Sequence, residues 1–104
     1  MNDTAKPGPP RTLMQAHEEL VRSRPGGNAS LAVWLAYYQR SVQLYEQIVE
    51  VDPGHGLEAL YWARRERHRA EEIAARIRAA THVTTMRDAL SGGTKDREIS
   101  NEEQ

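Results

Sequence analysis

The stretch "VEVDPGHGLEALYWARRERHRAEE", residues 49–72, decides how this chain folds. One helix-like run reaches Asp52-Pro53-Gly54, and a second begins a few residues later. Proline cannot continue a helix and glycine favours a turn, so the stretch reads as the bend of a helical hairpin. The run before it, from about Ser30 to Val51, carries two adjacent apolar stripes. One is Leu31, Leu35, Tyr38, Val42, Tyr45, Val49; the other is Trp34, Tyr37, Ser41, Leu44, Ile48, Val51. One stripe serves one neighbour, so two stripes place this helix at the centre, covered on two sides. Gln39, Arg40, Gln43, Glu46, Gln47 and Glu50 form the remaining, wet face.

The run after the bend, 57–80, shows Leu60, Ala63, Ala70, Ala74 and Ile77 on one side, flanked by Ala59 and Ile73. In an antiparallel pairing centred near Gly54–His55, the bulky Trp34 and Tyr38 come level with Ala70, Ala74 and Ala75. Large against small lets two helices approach closely and still fill space. Upstream, Thr12 and Gln15 have capping-box spacing and open a short helix over 12–23. Its stripe is Leu13, Ala16, Leu20, with Met14, His17 and Val21 beside it, and "RPGGN" (24–28) ends it. Residues 1–11 read as a disordered arm. In the tail, 83–104, Thr85 and Asp88 allow a short helix over 85–91, with disorder after Gly92. The expected fold is all-α: a short helix packed on a long antiparallel hairpin, with disordered ends.

Parts of the chain resemble known sequences. Ser41, Tyr45, Ile48 and Pro53 fall at the offsets of a tetratricopeptide repeat, and Glu58-Ala59-Leu60-Tyr61 resembles the start of a following one. The bend is one residue longer than in those repeats. "ARRERHR" stands where their leucine-glycine and tyrosine signature would be, and no second copy occurs at their period of about 34 residues. "TLMQAHEEL", "VWLAYYQRSVQLYEQIVEVDPGHGLEALYWARRER" and "AEEIAARI" are similar to a group of short actinomycete proteins of unknown function over about residues 12–78. That resemblance implies a helical fold and no activity.

Composition narrows the function classes. A chain of 104 residues makes one small domain at most, and such domains often lean on partners. Charged residues make up 28% of it, yet the net charge is -1, which argues against a general nucleic-acid binder. With no cysteine, thiolate chemistry and disulfides are excluded, in keeping with a cytoplasmic protein. "MNDTAKPGPP" holds no apolar run, so no signal peptide is expected, and no segment is apolar enough to cross a membrane. No catalytic constellation and no phosphate-binding glycine loop is legible, so neither an enzyme nor a cofactor is expected.

Three constellations remain. His17, His55 and Glu58 are candidate metal ligands, with His55 and Glu58 at i, i+3. Asp52 before Pro53 and Glu58 in a first helical turn are better explained by turn and helix-end preferences. Arg64, Arg65, Arg67, His68 and Arg69 could grip an acidic partner or the phosphates of a nucleic acid, as an accessory protein would, but Glu58, Glu66, Glu71 and Glu72 interleave them into a salt-bridged face. Arg67 falls in the apolar seam level with Ser41, as either a hydrogen-bonded polar layer or a side chain whose head reaches water. All six aromatics lie between Trp34 and Trp62, and aromatics with arginine are typical of interfaces. Trp34, Tyr38, Tyr45, Tyr61, Trp62 and Arg67 are therefore the expected contact residues. They fit an interaction or regulatory module that forms a homodimer or binds another helical protein.

Overall fold

The computed structural model describes the backbone of residues 8–100 and the side chains of residues 8–90. The expected disorder at residues 1–7 and 101–104 lies outside the described residues. Three α-helices account for the architecture: α1, Leu13–Arg22; α2, Leu31–Val51; and α3, Gly56–Ser100. The chain divides into two units, Met1–Ile73 and Ala74–Gln104.

Local chemistry sets each boundary in the first unit. The Thr12 hydroxyl accepts the Gln15 N–H at 3.1 Å, while the Gln15 side chain accepts the Arg11 N–H at 2.8 Å. That reciprocal pair satisfies two donors at the start of α1. Ser30 does the same for α2, accepting the Val33 N–H at 3.2 Å. Pro53 closes α2 and opens a single 3-10 turn, Pro53–His55, from which α3 starts directly.

The core of this unit joins Leu13, Ala16 and Leu20 from α1, Leu44, Tyr45 and Ile48 from α2, and Ala59 and Ala63 from α3. Large α2 side chains thus meet small ones on α3 and a mixed leucine and alanine face on α1, so both stripes of α2 are covered. Tyr45 pairs with Trp62 on α3, and Glu46 with Arg67 five residues on, while Ser41 lies near Glu66. From Tyr45–Trp62 to Ser41–Glu66, positions advance along α3 as they recede along α2, so the hairpin is antiparallel. Every residue of the expected wet face, Gln39 through Glu50, is exposed.

Two readings of α3 change. Its inward stripe is Ala59, Ala63 and Ala70, while Leu60 is 45% exposed. Ala63 and Ala70 are inward as expected, but Ala59 and Glu66 replace Leu60 and Arg67 beside them, because alanines at the contact let the helices close together and turn the bulkier Leu60 outward. The helix also does not end near Ala80 with a separate turn at 85–91; it stays helical through Ser100. The segment contains no proline, and its threonines cost only a few tenths of a kcal/mol each, about 0.7 at most, which does not break a helix. In the second unit, Val83 and Met86 are exposed.

Candidate functional site

Six rings and three arginines gather where α1, α2 and α3 meet in the first unit. Tyr45 Oη and His17 Nδ1 are hydrogen-bonded at 2.7 Å. The His17 ring stands edge-on to Trp62 at 5.1 Å, and Trp62 stacks on Tyr45 at 6.1 Å. Arg65 lies over the Trp62 face at 5.2 Å. A second group packs Trp34 on Tyr38 at 5.7 Å and Tyr38 against Tyr37 at 5.3 Å, with Arg24 over Trp34 at 4.9 Å. Tyr37 donates its hydroxyl proton to the Leu20 carbonyl at 3.0 Å, satisfying the last turn of α1.

Between these groups lies a cavity of about 240 Å³, bordered by His17, Tyr37, Tyr38, Tyr45, Trp62, the arginines 24, 65 and 69, and Glu66. Glu66 is its single carboxylate. Burial holds its carboxyl above the usual range, against the pull of Arg65, Arg69 and Arg24. Ser41, fully buried, donates to the Tyr37 carbonyl at 2.9 Å and lies close enough to Glu66 to offer the same proton there. Burial, with the Glu66 charge as a second cause, pushes the Tyr45 hydroxyl up to about 12, so it remains a neutral donor at physiological pH.

The expected contact residues separate into two kinds. Tyr38 and Tyr45 are buried in the protomer's own packing, so no partner reaches them directly. Trp34 and Trp62 are half-buried, and their faces carry arginines. Tyr61 is 59% exposed and touches Trp62 edge-on at 5.4 Å. Arg67 is not part of a buried layer. Its side chain is half exposed and pairs with Glu46 across the hairpin. The polar member of the seam opposite Ser41 is Glu66, in place of Arg67.

The candidate metal ligands have other duties. His17 is bonded to Tyr45, and His55 Nδ1 is 3.0 Å from Asp52 Oδ2, while Glu58 is exposed in the first turn of α3. Among the described residues no group of three or more His, Asp or Glu side chains is placed to hold a metal. Asp52 has a role the sequence did not suggest: it also accepts the Leu13 backbone N–H at 2.9 Å, tying the hairpin bend to the start of α1. The basic run disperses as well. Arg65 stacks on Trp62, Arg67 pairs with Glu46, and His68 lies 3.2 Å from Glu72.

No family model matches the chain, and no curated protein or solved structure is similar to it. No helix among the described residues is long and apolar enough to cross a membrane.

Proposed function

We propose that the protein is a small, non-enzymatic interaction module that pairs with a second copy of itself through the outer face of α3. One observation carries this reading. Leu57, Leu60 and Tyr61, at i, i+3 and i+4, are 86%, 45% and 59% exposed. By helical spacing they lie on one side of α3, opposite the inward Ala59, Ala63 and Ala70. The three-helix core is already filled without them, so their burial needs another chain. A net charge of -1 leaves little repulsion between two copies. Trp62 backs the Tyr61 ring, and the Arg67–Glu46 pair holds α3 against α2, so both support the face from behind. Tyr38 and Tyr45 act through the stability of the protomer.

The test is the double variant Leu57→Glu with Tyr61→Glu. Both sites are exposed, so the helical circular dichroism and the melting profile of the dilute protein stay as they are. The solution mass falls from that of a dimer to that of a monomer. A double variant that keeps the parent's oligomeric mass contradicts the assignment of this face.

A further inference from the structure

We propose that the cavity between α1, α2 and α3 is a binding site for a small organic oxyanion, a carboxylate or phosphate group carried on a planar body. The charge balance within the cavity is the first ground. Arg24, Arg65 and Arg69 border it with Glu66 as their single carboxylate, while the whole chain carries a net charge of -1. Arg22 and Arg40 pair with Glu19, and Arg67 with Glu46, but none of the three cavity arginines joins an ion pair among the described residues. A planar guanidinium fork with no carboxylate partner matches a carboxylate or phosphate geometrically.

Pre-orientation is the second ground. Arg24 and Arg65 are laid over tryptophan faces at 4.9 and 5.2 Å, so part of their ordering cost is met before any ligand arrives. The third is the rest of the wall. Half-buried Trp62 and Tyr37, with Leu20 and Val21, give an apolar border beside the arginines, and half-buried His17 supplies a polar group for orientation. A volume of about 240 Å³ sits just below the usual range of ligand pockets, which selects a small molecule over a nucleotide or a peptide. This site is lined from α1, α2 and the flank of α3, and it shares with the face assigned to self-association the contact between Trp62 and Tyr61.

The experiment is calorimetric titration of the full-length protein with phenyl phosphate, benzoate and inorganic phosphate, with tryptophan fluorescence as a second readout. The expected result is saturable 1:1 binding of phenyl phosphate or benzoate, more tightly than inorganic phosphate; the tighter of the two identifies the head group. Arg65→Gln and Arg69→Gln each weaken it about tenfold, as loss of one charge-assisted contact implies. Arg64→Gln, outside the cavity, leaves it unchanged, and Glu66→Gln strengthens it by removing the competing carboxylate. Because Arg65 and Arg69 are exposed, these variants fold. No binding of either organic probe at millimolar concentration overturns the proposal. So does binding indifferent to Arg65 and Arg69, or inorganic phosphate binding as tightly as phenyl phosphate.

Discussion

The carboxylate of Asp52, at the end of α2, accepts the backbone N–H of Leu13, the first residue of α1, at 2.9 Å. The two are 39 positions apart. A helix start leaves its first N–H groups without intrahelical partners, and a negative charge there also favours the positive end of the helix dipole. Asp52 thus fixes where α1 docks on the hairpin. Asp52→Ala should lower the melting temperature by several degrees, and hydrogen exchange should quicken most in α1. Uniform exchange across all three helices would show that the bond does not locate α1.

The same carboxylate gives the protein a pH signature. The Leu13 N–H, and then His55, hold Asp52 below the usual carboxylate range. The hydrogen bond to Asp52, and then its charge, hold His55 above the usual histidine range. Folded Asp52 takes up its proton less readily than unfolded Asp52. Its contribution is present above the unfolded value of about 3.9 and is lost as pH falls through the folded value. For His55 the sign reverses: the contribution is complete below about 6.5 and is lost as pH rises through the folded value. The Asp52–His55 pair therefore contributes most between about pH 4 and 6.5. In melting curves taken across pH, His55→Gln should flatten the decline above this window and keep the acid decline. An unaltered alkaline arm would remove His55 from the account.

Close packing of α3 on the rest of the core rests on small residues. Ala63 is buried among Leu, Tyr and Ile side chains, and Ala63→Leu should cost about 1–3 kcal/mol by overpacking. Tyr38→Ala should cost about 3–5 kcal/mol, because the ring is buried and stacked on Trp34. Denaturant unfolding measures both. If Tyr38→Ala changes the oligomeric state of the folded protein without lowering its stability, Tyr38 belongs to an interface and not to the core.

Glu66 is a half-buried acid whose charge is disfavoured by its surroundings. Its folded value lies above the unfolded one, so its contribution is fully present below about pH 4.3 and is lost as pH rises through the folded value. Glu66→Gln should melt higher than the parent at neutral pH, and the gain should vanish at pH 4. A variant less stable at neutral pH would mean that the longer-range attraction of Arg65, Arg69 and Arg24 outweighs the desolvation.

Most of the hairpin was legible because α2 carries bulky side chains at regular spacing, and Thr12 and Ser30 mark the helix starts with capping chemistry. The α3 register was harder to read. A seam of Ala59, Ala63 and Ala70 gives a weaker apolar signal than Leu60 beside it, and following Leu60 put Arg67 where Glu66 belongs. Starting from Ala59, the spacing 59, 63, 66, 70 would have exposed Glu66 as the one charged residue in an alanine stripe. The Asp52–Leu13 bond had no local signature, since it depends on how α1 returns across the bend. The cavity was invisible for the same reason: Arg65 and Arg69 come from α3, and Arg24 from the loop between α1 and α2. The length of α3 was hidden by glycines and threonines that read as stops.

Self-association is tested most directly by sedimentation equilibrium of the purified full-length protein over a hundredfold range of concentration. The expected mass is twice that of the 11.8 kDa chain at the upper end, falling toward the monomer on dilution. A mass that stays at 11.8 kDa throughout would contradict pairing through Leu57, Leu60 and Tyr61.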